Sequence, residues 1–377
     1  MDQAQGFTPQ PLPPWHRAVL KVGSSLLTTP DGALTDVHAQ ALASFVARSR
    51  DAGREVVIVS SGAVAAGRGL ARPDRSTGLP GRQALAALGQ TRLVALWQGL
   101  FSVPVAQVLL THDDLRHRRR YLNARATLRE LLALGTVPVV NENDTVAVDE
   151  LKLGDNDNLA AIVAALVDAD VLLIASDVAG LFTADPRTDA QARPVQDIPA
   201  LATSSFATAG GAGSKAGTGG MRTKLEAATK AAAAGIETVL FDGRDPACVA
   251  RLAAGTLTGT RLRAPQTRMA ARKYWLRHTP PIGRVLVDAG AAQALQARGA
   301  SLLPGGIVGA EGEFARGDVV EICDGHTVFA RGIAQYAASD VRRIARLHTR
   351  DIEAVLGYSY GETVVHRDDL VTLGTEP

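Results

Sequence analysis

The sequence predicts an α/β protein: a mostly parallel sheet sandwiched by helices over the first two-thirds, then a second, smaller, mainly-β domain. Three observations lead there. The β-rich runs of the first part are continuously apolar rather than alternating, as strands covered on both faces are. Those runs alternate with helical patterns, which is the signature of repeated βα units. After about Leu262 the pattern changes to short β-like pieces punctuated by glycine. A chain of 377 residues also exceeds the size at which one core stops growing, so two domains are expected.

In chain order, Met1 to Trp15 is rich in Pro and Gln and reads as a mobile tail (1–15). The first domain spans 16–262. Its predicted strands are Arg17–Val22, Glu55–Val59, Val103–Leu110, Val137–Val140, Val171–Ala175 and Glu237–Phe241. Helical patterns lie over Val37–Arg48, Gln83–Leu100, Leu122–Leu134, Leu159–Val167 and Met221–Ala234. The stretch 263–281 is rich in Arg and Pro and reads as a connector. The second domain, 282–377, begins with Gly283–Val287 and continues through Gly305–Val308, Asp318–Ile322 and Thr327–Ala330, with one helix-like stretch at Ala291–Arg298. Thr208–Gly220, rich in Gly, Ala and Ser, is low in complexity and is expected to be mobile unless a ligand orders it.

Composition narrows the function. Forty basic residues against thirty-eight acidic ones leave a net charge of +2, which does not suggest a dedicated nucleic-acid binder. The two cysteines, Cys248 and Cys323, are too few for a disulfide framework or a cysteine zinc site and suit a reducing compartment. No apolar run reaches the roughly 18 residues of a membrane helix, and the start lacks the marks of a signal peptide. A cytoplasmic protein is expected.

Chemistry-bearing residues collect where predicted strands end, which is where open α/β sheets bind ligands. Lys21-Val22-Gly23-Ser24-Ser25 can bring a positive charge and backbone N–H groups to a phosphate, although a solvated lysine before an ordinary turn has the same spelling. It is not a Walker A loop. Ser60-Ser61-Gly62-Ala63 runs into a helix; plain N-capping explains it locally, and anion binding is the alternative. Asn141-Glu142-Asn143-Asp144 and Gly154-Asp155-Asn156-Asp157-Asn158 hold more Asx residues than turns and one cap require. An amino-acid ligand explains the surplus, since its ammonium needs a carboxylate such as Asp144 and its carboxylates suit amide donors such as Asn156. Ser176-Asp177 ends another strand. Gly217-Thr218-Gly219-Gly220-Met221-Arg222-Thr223-Lys224 is a glycine-rich loop entering a helix, and a lysine in a first helical turn opposes the helix dipole unless an anion is present.

In this order these segments, with Ala184-Asp185-Pro186-Arg187, resemble the amino-acid kinase family, from about residue 17 onward. The C-terminal part resembles a PUA domain, on Arg342-Arg343-Ile344-Ala345 and His366-Arg367-Asp368-Asp369. The resemblance implies ATP-dependent phosphorylation of the side-chain carboxylate of L-glutamate, the step that opens proline synthesis. It assigns Lys21 and Lys224 to the ATP phosphates and the moving phosphoryl group, and Asp157 to holding both lysines. Ser61, Asp144 and Asn156 are assigned to glutamate. The nucleotide falls to Ser176, Asp177 and the loop Thr218, Gly219, Gly220, Met221, Arg222, Thr223 and Lys224, with Mg2+ on the phosphates. Proline as a competing inhibitor, a homo-oligomer and a downstream glutamyl-phosphate reductase are further implications.

A carboxylate nucleophile with a reference pKa of about 4.3 is already ionised at neutral pH, so no general base is required. A sister kinase acting on aspartate, N-acetylglutamate, carbamate or UMP is the nearest alternative, with Asp144 favouring a free amino group. An RNA-binding protein working through the PUA-like domain is the alternative of another class. Arg342, Arg343, Arg346 and Arg350 have spacings that can cluster them on a helix, although few aromatics accompany them.

Overall fold

The computed structural model describes residues 6–29, 32–70, 78–147, 156–184, 186, 189, 191–199, 220–265, 273, 276–325 and 327–373. It divides into two compact units, Met1–Arg268 and Met269–Pro377.

The first unit runs through β1 (Gln10–Pro11), β2 (Arg17–Val22), α1 (Ala39–Asp51), β3 (Glu55–Ser60), α2 (Ala63–Arg68), α3 (Leu79–Leu100) and β4 (Val105–Leu110). It continues with α4 (His112–Arg116), α5 (Arg118–Ala133), β5 (Val137–Glu142), α6 (Asn156–Leu166) and β6 (Val171–Ser176). Three short strands come next, β7 (Leu181–Phe182), β8 (Pro194–Val195) and β9 (Asp197–Ile198). Then come α7 (Met221–Ala233), β10 (Glu237–Asp242), α8 (Pro246–Ala253), β11 (Thr256–Leu257) and β12 (Gly259–Leu262). Eight strands form one sheet in the order β4-β5-β3-β2-β6-β10-β12-β9. From β4 to β10 all neighbours are parallel, while β12 runs antiparallel to β10.

Period-2 alternation divides this sheet between two cores, which is why its strands read as unbroken apolar runs. Ala18, Leu20, Val22, Val56 and Ile58 face one core with Leu42, Leu93 and Trp97. Val19, Val57 and Val59 face the other with Leu159, Ala160, Ala227 and Ala231. Lys21 lies two residues from Val19 and therefore belongs to the face covered by α6 and α7. The central strands end level: Val22 is opposite Ser60 and Ala175, and Val59 opposite Val140. From β2 the chain goes to β3 on one side and later returns to β6 on the other, so the switch point of the sheet lies at Lys21.

Helices α2 and α3 touch backbone to backbone. A Cβ on Gly89 would stand 1.9 Å from the Ala63 carbonyl oxygen, and one on Gly67 would stand 1.9 Å from that of Leu85. Gly89→Ala must push α2 away, with an expected loss of about 3 kcal/mol in chemical denaturation. Gly99→Ala, on the same helix with nothing within 4 Å, is the control and is expected to be neutral or slightly stabilising. Equal midpoints for the two variants would contradict this packing.

The structure corrects two expectations. The predicted mobile tail is packed from Phe7 onward: Phe7, Leu12 and Trp15 are buried, and β1 pairs antiparallel with β11. Arg54 lies 4.7 Å over the Trp15 ring, and Phe7 meets Phe182 edge-on at 5.3 Å. Spaced apolar anchors hide within Pro/Gln-rich composition, so the average misleads. The connector is also shorter than expected, because Leu276 is fully buried with Val319, Ile333 and Val371 in the second unit.

That unit comprises β13 (Gly283–Val287), α9 (Ala289–Arg298), β14 (Ile307–Glu311), β15 (Val319–Asp324), β16 (Thr327–Ile333), α10 (Ala338–Ile344), α11 (Ile352–Leu356) and β17 (Leu370–Thr372). Its five-stranded sheet has the order β14-β13-β15-β16-β17. The four arginines whose spacing could cluster them on a helix do not share one. Helix α10 ends at Ile344, Arg346 takes a left-handed φ of 66°, and Arg350 sits in a separate turn, Thr349–Asp351. Arg342 donates to Glu313, the Ala310 carbonyl and the Gly312 carbonyl, and Arg343 to the Val355 carbonyl. Over Met269–Pro377 twelve Lys and Arg face thirteen Asp and Glu, so the unit has no excess of basic charge.

Candidate active site

At the carboxyl edge of the sheet, two lysines distant in sequence meet one carboxylate. The Lys21 Nζ lies 2.6 Å from Asp157 Oδ1, and the Lys224 Nζ 3.2 Å from Asp157 Oδ2. Thr223 Oγ1 adds a 2.7 Å hydrogen bond to Oδ2. Lys21 comes from the end of β2, Asp157 from the first turn of α6 and Lys224 from the first turn of α7. All three are buried, Asp157 at 1% exposure. Burial alone would raise the Asp157 pKa, but the charges of Lys21 and Lys224, with hydrogen bonds from Lys21 and Thr223, outweigh it. They hold the carboxyl well below the usual carboxylate range. The trio carries a net positive charge in a buried place, an arrangement suited to an anionic ligand.

Beside it lies an amide network. Asn156 Nδ2 donates to Ser61 Oγ at 2.9 Å, to Asn141 Oδ1 at 2.9 Å and to the Ser60 carbonyl at 3.2 Å. Asn141 Nδ2 in turn donates to Gln90 Oε1 at 2.8 Å, and Trp97 Nε1 to Ser60 Oγ at 2.9 Å. The expectation that Asn156 offers an amide donor meets a difficulty: its nitrogen is engaged by the protein. Its Oδ1, buried, has no hydrogen-bond partner among the described residues. Gly62, φ 113°, makes the left-handed turn that carries the chain from Ser61 into α2.

Asp144 comes shortly after β5 and is buried. Burial pushes its carboxyl up to about 6, against the pull of Arg82. It is thus poised to lose its charge in weak acid unless a cation comes to it.

The expected nucleotide residues are only partly gathered. Ser176 Oγ donates to Asp177 Oδ1 at 3.3 Å, and Arg244 donates to the Asp177 carbonyl. Gly220 caps α7 without a side-chain hydrogen bond, leaving the helix's first N–H groups to other partners. Met221 packs against the apolar cores, and the exposed Arg222 pairs with Glu226 at 2.8 Å, so neither side chain points to ligand chemistry. Thr218 and Gly219 lie outside the described residues, as do Gly154 and Asp155. Sequence reasoning missed Gln90 and Trp97, which sit in an apolar helix; it quoted Asn141 within a motif but gave it no role. A glutamine inside an otherwise apolar helical face was the available signal for Gln90.

The family model described as "Amino acid kinase family" matches residues 16–242, and the PUA domain model matches 283–356. A glutamate 5-kinase of Xanthomonas oryzae pv. oryzae is 66% identical over 362 residues, covering 94% of this chain and all of that protein. A glutamate 5-kinase of Xylella fastidiosa is 62% identical over 376 residues, covering 97% and 98%. Among solved structures, the UMP kinase of Bacillus anthracis aligns at a TM-score of 0.47 and 16% identity, over 67% of this chain and 97% of that one.

Proposed function

The chain belongs to the amino acid kinase family, on the branch of the glutamate 5-kinases, and from that premise we propose that it transfers the γ-phosphoryl group of ATP to the side-chain carboxylate of L-glutamate. The observation that carries the proposal is the buried Lys21–Asp157–Lys224 trio at the switch point of the sheet.

A glutamate carboxylate oxygen attacks the γ-phosphorus as the bond from phosphorus to the β,γ-bridging oxygen breaks, giving an acyl phosphate and ADP. Nucleophile and phosphate are both anionic, so the barrier is one of charge and alignment. Lys21 and Lys224 offset that charge, and Asp157 keeps the two ammonium groups side by side. Both Asp157 oxygens are engaged by lysines, so magnesium is proposed to enter on the phosphates, as MgATP. Ser61 and Asp144 are proposed to hold glutamate, with Asp144 facing its ammonium. Proline, which shares an ammonium and a carboxylate with glutamate, is proposed to compete there and thereby govern the first step of its own synthesis. A cytoplasmic location suits two free, buried thiols.

The proposal is tested by ADP release with MgATP and a panel of acceptors: L-glutamate, L-aspartate, N-acetyl-L-glutamate, carbamate and UMP. Turnover with glutamate and suppression by proline are expected; preference for L-aspartate overturns the glutamate reading, and preference for N-acetyl-L-glutamate, carbamate or UMP, none of which has a free α-ammonium, overturns the assignment of Asp144 as well.

Asp144 also makes a pH prediction. Its charge is lost as pH falls through about 6, so kcat/KM for glutamate should fall about tenfold per pH unit below that point. Asp144→Asn should raise KM for glutamate about 10- to 100-fold and abolish this limb. Because the folded pKa is raised, the group favours folding most at low pH, and that contribution is lost as pH rises through about 6. The acid limb is therefore a loss of binding, not of fold. A profile unchanged in the variant would contradict it.

A further inference from the structure

We propose that Gln90 is a positioning residue for the amino group of the substrate, acting through Asn141 on Asn156. The inference rests on the glutamate kinase reading and extends it to a residue of α3.

The orientation of each amide is set by its neighbours. A backbone carbonyl only accepts, so the Asn156 atom facing the Ser60 carbonyl at 3.2 Å has to be Nδ2. The Asn141 atom facing that nitrogen at 2.9 Å must then be Oδ1. This turns Asn141 Nδ2 toward Gln90, whose Oε1 accepts it at 2.8 Å. The relay is thus fixed at one end by main chain and ends at Gln90, whose Oε1 accepts from Asn141 while its buried Nε2 has no hydrogen-bond partner among the described residues. All three side chains are buried, so water is a poor substitute for a missing partner.

The product of the relay is the Asn156 Oδ1, an acceptor buried without a partner among the described residues. With Asn156 Nδ2 already shared among three protein oxygens, this atom suits a donor on the ligand. The donor of glutamate is its α-ammonium. Gln90 touches neither substrate nor the reacting atoms; it keeps Asn141 from turning, and through it Asn156.

The α-amino group is remote from the carboxylate that reacts, so its contact is the same in ground and transition states. Loss of such uniform binding appears in KM rather than kcat. The test compares Gln90→Met, which keeps the length but removes the acceptor, with Gln90→Glu, which keeps an acceptor for Asn141. Each is assayed for kcat, KM for L-glutamate, KM for MgATP and the inhibition constant of glutarate, which lacks the amino group.

Gln90→Met is expected to raise KM for glutamate about tenfold, with kcat, KM for MgATP and glutarate inhibition changed less than about threefold. Gln90→Glu is expected to recover most of the glutamate affinity. Equal weakening of glutamate and glutarate, or a fall confined to kcat, overturns the proposal. Should Gln90→Met show no melting transition, Gln90→Glu decides: loss of preference for glutamate over glutarate in that variant also overturns it. Wild-type protein that does not turn over glutamate at all overturns the underlying reading instead, so the two failures are distinct.

Discussion

Alanine at Lys21 or Lys224 is expected to lower kcat by about a thousandfold, the order that follows when a preorganised charge is removed from a buried transition state. The two ammonium groups reach Asp157 from the end of β2 and from the first turn of α7, so each variant leaves the other lysine in place. Asp157 keeps one partner and the Thr223 hydrogen bond in either case, and the fold is expected to survive. Loss should appear mainly in kcat, because the charge that develops on the moving phosphoryl group is what the lysines are proposed to address. Steady-state kinetics with a parallel thermal melt makes the distinction. Near-normal turnover in a folded variant would remove that lysine from the mechanism.

Asp157→Asn has the largest expected effect on stability. The substitution removes the one carboxylate that both buried ammonium groups share, and breaking a buried ion pair on one side costs about 3–5 kcal/mol. Linkage gives the same sign. The native pKa of Asp157 is depressed, so its contribution is present above the unfolded carboxylate pKa and is lost as pH falls below it. At neutral pH the wild type has the full contribution and the variant none. MgATP supplies the missing anion, so it should raise the melting temperature of the variant more than that of the wild type. An unchanged melting temperature without nucleotide would show that the trio is not an ion-pair network.

Much of the site was legible in the sequence because it lies at ends of elements. Unbroken apolar runs such as Val171–Ser176 give the strands, and the residues just past each run stand at the ligand edge. Lys21 could be picked out that way, whereas Asp157 stands in an Asx-rich stretch that opens a helix and took its role only from the family resemblance. Their contact could not be picked out, since it depends on which strands become neighbours and on a face shared with α6 and α7. Strands of two to four residues, such as β9 and β12, have too little pattern to be read. The relay through Gln90 is legible only in three dimensions, because three amides from α3, β5 and α6 share no spacing rule. Gly67 and Gly89 likewise look like weak points of helices until the backbones they allow together are seen. The misread tail shows that composition averages over Phe7, Leu12 and Trp15, each an anchor in its own right.

The central claim is that the bond made is an acyl phosphate on the glutamate side chain. The most direct measurement is to incubate the protein with MgATP, L-glutamate and hydroxylamine, and to assay γ-glutamyl hydroxamate alongside ADP. The account predicts hydroxamate that requires both ATP and glutamate, tracks ADP release, and disappears in Lys21→Ala and Lys224→Ala. ADP release without hydroxamate, or hydroxamate at equal rate in those variants, would contradict it.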